Sequence, residues 1–271
     1  MDREKERHHD GAWSSEAVTV LAIESATAAA AVALADETGA LGAIELRAGR
    51  RHVELLHVAL RSLLDMAGVE IGDVRAVAVD VGPGLFTGIR VGVAAAMGFA
   101  MALGVPVLGM SSLEILRRAC LCAGHRSAIG VVDIRRGDVA WSLPSLEGER
   151  AVDHHGRPAE LVADVSDYLD ALDELARRDG SGGKEVAVLA GDGALRYRDV
   201  LLTGLAPRVR FAGSELAVPP VTSLALAAVS ELDGPRYVAA SGVRPTYLRD
   251  ADVRISWTTR HDAPGRSSRT P

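Results

Sequence analysis

The sequence predicts an α/β fold with a mixed sheet in each half of the chain. Short apolar runs of strand length alternate with stretches whose apolar residues recur every three or four positions, the spacing of an amphipathic helix. Three strand-like runs come before the first helix, which makes the start of the sheet antiparallel. The second half repeats the order strand, strand, helix, strand, helix in a weaker form, without a repeat of the residues themselves.

In the first half, apolar runs bounded by turn residues predict strands. These strands are 18–24, 29–35, 43–47, 75–81 and 105–108. A helix is predicted over 52–67, where leucines recur at helical spacing, and Gly68 ends it. A helix of small residues over about 89–103 follows a glycine-rich loop. Ser111 and Glu114 have the spacing of a capping box and predict a third helix that ends near residue 123.

In the second half, a hairpin is predicted around Arg135-Arg-Gly137, and Asp192 between two glycines is interpreted as a turn residue. The predicted elements are strands 127–134, 138–143 and 185–190 and helices 160–177 and 223–232, with a loop over 144–158. We therefore expect a first subdomain at 17–110 and a second at 111–255, between disordered tails at 1–16 and 256–271.

Composition narrows the function classes. The 271 residues are 48% hydrophobic and 24% charged, which is ordinary for a globular protein, and the net charge of −6 disfavours nucleic-acid binding by the chain alone. Cys120 and Cys122 are too close in sequence for an ordinary disulfide, so a reduced, cytoplasmic compartment is expected. Residues 91–113 carry no charge, but Gly104 and Pro106 divide them, which favours a buried helix over a membrane span.

The loop Gly82-Pro-Gly-Leu-Phe-Thr-Gly88 lies between a predicted strand and a predicted helix. A phosphate site and a tight turn both fit this position, because glycine permits close backbone approach and a helix N-terminus attracts anions. The spacing matches neither common phosphate motif. Ile89 stands where a P-loop has lysine, and the last glycine falls one residue late for a dinucleotide fingerprint.

Six segments in order resemble the TsaB (YeaZ) family of bacterial tRNA threonylcarbamoyladenosine modification proteins. They are LAIESAT from residue 21, HVELL from 52, GPGLFTGIRVG from 82, SSL from 111, DIRRGDV from 133 and PTYLR from 245. Leu85 stands where the family pattern has serine, and Glu24 where it has aspartate. Both departures argue against phosphate handling by this chain itself.

The resemblance implies an ASKHA fold, as in actin, sugar kinases and Hsp70, with two related mixed-sheet subdomains. It also implies a noncatalytic scaffold and activator that pairs with the transferase TsaD, with the ATPase TsaE joining the pair. TsaD threonylcarbamoylates the adenosine adjacent to the anticodon in ANN-decoding tRNAs. Further expectations are a homodimer when alone, contact with tRNA only through the complex, and no intrinsic cofactor, with ATP or ADP at the complex interface. The alternative function is an autonomous ASKHA-type ATPase or kinase.

Three groups of candidate site residues follow from the resemblance. The glycine-loop motif comprises Gly82, Pro83, Gly84, Phe86, Thr87, Gly88 and Arg90. The partner interface comprises His52, Glu54, Leu55, Ala95, Gly98 and Ala102. The nucleotide-proximal residues are Glu24, Thr27, Asp133 and Arg135, although solvated charges at a hairpin tip are the simpler interpretation of the last two.

No metal site is predicted. A TsaD-type site resembles H-x-x-x-H on one helix face, whereas His52 and His57 are five residues apart and point about 140° away from each other. His52 is interpreted as a hydrogen-bonding or interface residue at the start of its helix, and His57 as a surface residue. The missing pair also argues against a metallopeptidase.

Overall fold

The computed structural model describes residues 18–47, 49, 51–146, 151–178, 180, 184–232 and 234–248, and the predicted tails lie outside them. The strands are β1 (Thr19–Glu24), β2 (Ala29–Asp36), β3 (Gly39–Arg47), β4 (Val74–Asp80), β5 (Val107–Met110), β6 (Ala128–Arg135), β7 (Asp138–Leu143), β8 (Val152–Gly156), β9 (Ala187–Ala190), β10 (Val209–Phe211) and β11 (Tyr237–Val238). The helices are α1 (His52–Ala67), α2 (Phe86–Leu103), α3 (Ser112–Cys122), α4 (Pro158–Arg178), α5 (Asp192–Arg196), α6 (Arg198–Leu205) and α7 (Val221–Ser230).

These strands form two mixed sheets. The first has the order β11-β5-β4-β1-β2-β3 and the second the order β10-β9-β6-β7-β8. In the first sheet, β1, β2 and β3 are antiparallel, β4 and β5 run parallel to β1, and β11 pairs antiparallel with β5. The first sheet is therefore completed by a strand from near the end of the described chain.

The two faces of the first sheet differ in side-chain size. One face carries large aliphatic residues, such as Leu21 and Val77, and packs against α1 and α2. The other is mostly alanine and packs against α7, whose Ala225 and Ala228 are fully buried. Small side chains on both surfaces allow the α7 backbone to lie close to the sheet.

Helix α3 links the two sheets. Ile115 belongs to the core between the first sheet and α7, whereas Leu116 belongs to a core beside the second sheet. The opposite face of the second sheet packs against α4 and α6 around the buried Trp141. The side chain of Ser111 accepts a hydrogen bond from the Glu114 amide at 3.1 Å, which confirms the predicted start of α3.

Several element predictions were wrong. Helix α2 begins at Phe86 rather than 89, β5 is shifted by two residues, and Asp192 begins the short helix α5 instead of forming a turn. Strand β8 lies inside the predicted loop 144–158, while α6, β10 and β11 were not predicted. The polar strand β8 forms because it pairs with β7, where the ring of His154 stacks on Trp141 with centroids 5.8 Å apart.

Helix α2 is less buried than its sequence suggests. By length and composition alone it could cross a membrane, but Val93, Ala96 and Ala100 pack in the core of the first sheet. Only 33% of the helix is buried. Its other face is mostly apolar and open to solvent, so the described chain buries α2 on one side only.

Candidate functional site: the glycine loop and the groove between α1 and α2

The glycine loop lies directly on the turn between β1 and β2. The Leu85 amide donates a 2.6 Å hydrogen bond to the carbonyl of Ala26. A Cβ atom at Gly84 would lie 2.1 Å from that same carbonyl oxygen, and one at Gly88 would lie 2.0 Å from the Ser25 carbonyl oxygen. Both distances are far below van der Waals contact, so these glycines are explained by two backbone segments in contact.

The β1–β2 turn is fixed by its own side chains. Ser25 Oγ donates to the Gly88 carbonyl at 2.8 Å, which ties the turn to the first turn of α2. Glu24 Oε1 accepts hydrogen bonds from the Thr27 amide at 3.0 Å and the Thr27 hydroxyl at 2.9 Å. His52 Nε2 lies 3.1 Å from the Thr27 carbonyl oxygen. The turn, the glycine loop and the start of α1 therefore form one connected unit.

The segment 243–248 crosses the start of the glycine loop. The Thr246 amide donates to the Val81 carbonyl at 2.7 Å, and Gly82 has a φ of +94°, where a Cβ would meet the side chain of Ile89. Pro83 is buried and follows a cis peptide bond. Two motifs that are far apart in sequence, the glycine loop and the late Pro-Thr-Tyr-Leu segment, thus meet here.

Arg90 joins these two motifs on the surface. Its guanidinium carbon lies 3.8 Å from the centroid of the Phe86 ring, and its Nε donates to the Tyr247 hydroxyl at 3.2 Å. The Phe86 and Tyr247 rings are 5.1 Å apart. Sequence analysis included Phe86 and Arg90 but missed Tyr247, although the resemblance to the late family segment was an available signal. Thr87, which lies between Phe86 and Arg90 in the sequence, is exposed.

Asp80 is a second residue that the sequence analysis missed. Its carboxylate is fully buried and accepts hydrogen bonds from the Gly82 amide at 2.8 Å and from Ser112 Oγ at 2.7 Å. Burial raises the pKa of Asp80 to about 7. Burial and, after it, the charge of Asp80 raise the pKa of Glu24 well above its usual range. The available signal was an acidic residue ending an otherwise apolar strand.

Asp133 and Arg135 lie in the second sheet, whereas Glu24 and Thr27 lie at the turn of the first. The Asp133 side chain is buried and pairs with Arg135 at 3.0 Å and Arg196 at 3.1 Å. The Asp133 amide donates to Asp192 Oδ1 at 2.8 Å, and burial raises the pKa of Asp192. The interpretation of Asp133 as a solvated charge is therefore wrong, whereas Arg135 is exposed at the hairpin.

A groove of about 740 Å³ runs between α1 and α2. Its walls are mostly apolar, and Ala95, Gly98 and Ala102 line it from α2. Gly98 and Ala102 are exposed one turn apart, whereas Ala95 is half-buried against the core.

Helix α1 lines the groove with Val53, Leu56, His57 and Leu60, and Val53 is 66% exposed. Glu54 is exposed and Leu55 is half-buried, and neither residue lines the groove. His52, in contrast, is buried inside the chain and is not part of this surface.

Comparison with known proteins identifies the family of this chain. Residues 28–257 match the family described as TsaD: tRNA N6-adenosine threonylcarbamoyltransferase. The chain belongs to this family. Within it the chain is of the TsaB (YeaZ) type, and its two mixed sheets form the α/β ASKHA fold that the sequence predicted.

Three relatives illustrate this placement. The tRNA threonylcarbamoyladenosine biosynthesis protein TsaB of Escherichia coli is 26% identical over 242 residues, which cover 88% of this chain and 96% of that protein. The structure of YeaZ from Pseudomonas aeruginosa has a TM-score of 0.64 and 26% identity, and the match covers 85% of this chain and all of that one. The tRNA N6-adenosine threonylcarbamoyltransferase of Erythrobacter litoralis is 30% identical over 188 residues, which cover 65% of this chain and 52% of the enzyme.

His52 and His57 do not share a site in this TsaB-type chain. His57 is exposed on α1, while His52 points into the β1–β2 turn. Within the ranges that the structure describes, no group of three or more His, Cys, Asp or Glu residues is placed to hold a metal ion. Cys120 and Cys122 are both free thiols.

Proposed function

We propose that this chain is the noncatalytic scaffold and activator subunit of a threonylcarbamoyladenosine-forming complex. It pairs with a TsaD-type transferase, which modifies the adenosine adjacent to the anticodon in ANN-decoding tRNAs. The curated relatives that span most of the chain support the pathway, because their names assign them to threonylcarbamoyladenosine biosynthesis. The observation that carries the scaffold role is the apolar groove between α1 and α2.

The groove has the properties of a helix-docking surface. An apolar groove between two helices is a surface into which the apolar face of a partner helix can pack. Gly98 and Ala102 present almost no side chain, so a partner helix can approach the α2 backbone closely, while Val53 supplies apolar area from α1. The matching helices of the TsaD-type subunit occupy this groove in the complex, and a second copy of the chain occupies it when the chain is alone.

The absence of intrinsic catalysis is supported by the β1–β2 turn. One oxygen of Glu24 is engaged by Thr27, and Ala26 occupies the position where the ASKHA phosphate turn has glycine. The Gly84 and Gly88 positions are filled by backbone from the same turn. ATP or ADP therefore binds at the complex interface, held largely by the TsaD-type subunit, and the chain has no intrinsic cofactor.

The proposed complex also includes an ATPase and the tRNA substrate. A TsaE-type ATPase joins the pair, and tRNA is reached only through the complex, because a chain of net charge −6 attracts phosphate backbones poorly. The proposed location is the cytoplasm, where tRNA is modified.

Reconstitution tests the proposal. The chain is combined with its cognate TsaD, TsaE and adenylate synthase, together with ATP, threonine, bicarbonate and tRNA, and modified adenosine is measured. We expect modification to require the chain and the chain alone to hydrolyse no ATP. Full modification without it, or strong ATP hydrolysis by it alone, would overturn the proposal and favour the autonomous ATPase or kinase.

A groove variant tests the interface directly. Gly98→Leu fills the groove from an exposed position with no heavy atom within 4 Å of the added Cβ, so the fold is expected to survive. We expect at least about tenfold weaker binding to TsaD, equivalent to about 1.4 kcal/mol, measured by titration calorimetry. Ala163→Leu, at an exposed position on α4, is the matched control and should bind normally. Equal binding by both variants would show that the groove is not the interface.

A further inference from the structure

Two acidic side chains are buried side by side at the ends of neighbouring parallel strands. Glu24 ends β1 and Asp80 ends β4, and both are fully buried. Ile23 is the register partner of Val79, so the next residues along, Glu24 and Asp80, lie beside each other on the same face of the sheet. Two adjacent buried carboxylates are costly when both are ionised.

Both carboxyl oxygens of Asp80 accept hydrogen bonds, whereas only one carboxyl oxygen of Glu24 does. Oδ1 of Asp80 accepts from both Gly82 and Ser112, and Oδ2 accepts from Ser112. Glu24 Oε1 accepts two hydrogen bonds from Thr27, whereas Glu24 Oε2 is buried and has no hydrogen-bond partner among the described residues. A proton on Oε2 would turn this unpartnered acceptor into a donor beside Asp80.

The surroundings do not neutralise a second negative charge. The ionisable groups that act on Glu24 are Asp80 and, more weakly, Glu45 of β3, and both are acidic. Helix α7, which covers this face, carries no ionisable side chain over Val221–Ser230.

The other packed elements direct their charges elsewhere. From α3, Glu114 bonds Arg118 and Arg236. From α1, His52 contacts the Thr27 carbonyl, and from α2, Arg90 stacks on Phe86.

We propose that Glu24 and Asp80 share one proton near neutral pH and act as a proton-dependent latch. The latch holds together the three segments that the carboxyl groups bond: the β1–β2 turn through Thr27, the glycine loop through Gly82, and the start of α3 through Ser112. Loss of the shared proton places two negative charges side by side and loosens these segments. The inference concerns this chain alone and does not depend on the identity of its partner.

The direction of the pH effect follows from proton linkage. The folded-state pKa of each carboxyl is raised, to about 7 for Asp80, so the folded state holds more protons than the unfolded state above about pH 4. Stability contributed by the pair therefore falls as pH rises from about 4 through 7, and the penalty is complete above the folded-state pKa.

Thermal unfolding of the full chain tests the latch. Between about pH 6 and pH 8.5, we expect the Tm of the wild type to fall by at least about 4 °C. In Glu24→Gln the amide NH₂ replaces the proton donor, so the fall should be at most half as large. Asp65→Asn removes one negative charge from an exposed residue of α1 that is not among the groups acting on Glu24, and it should behave like the wild type. Parallel pH profiles for all three proteins would overturn the proposal.

Hydrogen exchange of the wild type provides a second readout that does not depend on a variant folding. After correction for intrinsic exchange rates, amides at 25–28 and 82–92 should lose at least about fivefold in protection between the two pH values, while amides of β6 and β9 remain protected. Uniform change across the chain, or no change at 82–92, would contradict a local latch.

Discussion

At the scale of single residues, Gly84 and Gly88 are required because another backbone occupies the space of their side chains. Gly84→Ala or Gly88→Ala would force a methyl group to about 2 Å from a carbonyl oxygen of the β1–β2 turn. We expect a loss of more than about 3 kcal/mol in the free energy of unfolding, measured by urea denaturation.

Gly98 is the control for this prediction. The same substitution there meets no atom within 4 Å and replaces glycine inside a helix, so Gly98→Ala should stabilise the isolated chain by up to about 1 kcal/mol. Similar losses at Gly84 and Gly98 would show that backbone contact is not what requires glycine in the loop.

Tyr247 is the second residue with a measurable role. Tyr247→Ala removes the ring that packs against Phe86 and the hydroxyl that accepts from Arg90, and should cost about 1 kcal/mol of stability. Tyr247→Phe retains the ring and should lose less than half of that. The measurement is urea denaturation of both variants, and an unchanged midpoint for Tyr247→Ala would exclude a stabilising role.

These residues also mark what the sequence could and could not predict about the site. The strand, loop and helix around residues 82–88 were predictable, because turn residues separate two apolar patterns. The contact of Gly84 with Ala26 was not predictable, since nothing local to either segment records a partner about 60 residues away. The contacts of Tyr247 with Arg90 and of Asp80 with Ser112 were missed for the same reason, because these partners are 157 and 32 residues apart in sequence.

At the scale of elements, a helix or strand was predicted correctly where its local pattern of apolar and turn residues was strong. Helix α1 was predicted with its observed bounds, because leucines at helical spacing and Gly68 in a left-handed conformation define it. Strand β8 was missed because Val152-Asp-His-His-Gly156 has no apolar alternation, and pairing with β7 alone makes it a strand. Helix α2 has the opposite difficulty: its uniform apolar composition does not distinguish the core-facing side from the groove.

At the scale of the whole molecule, α7 brings the end of the described chain back onto the first sheet. Ala225→Leu would place a larger side chain between α7 and a sheet face composed mainly of alanine, where no void is expected. We expect a loss of about 2 kcal/mol or more in the free energy of unfolding. The neighbouring Leu226 is 43% exposed, so Leu226→Ala should cost less than about 1 kcal/mol. Equal costs in urea denaturation would contradict close packing of α7.

This return of the chain has a consequence for synthesis on the ribosome. The strands of the second sheet come from one continuous stretch, 128–211. The first sheet, in contrast, is not complete until α7 and β11 have been synthesised. At translation rates of roughly 5–20 residues per second, the nascent chain spends about 5–20 s between the end of α3 and the start of α7. During that interval the sheet face that α7 will cover is exposed to other nascent chains. Because that face is built largely of alanine rather than leucine or valine, it offers them little apolar area to adhere to.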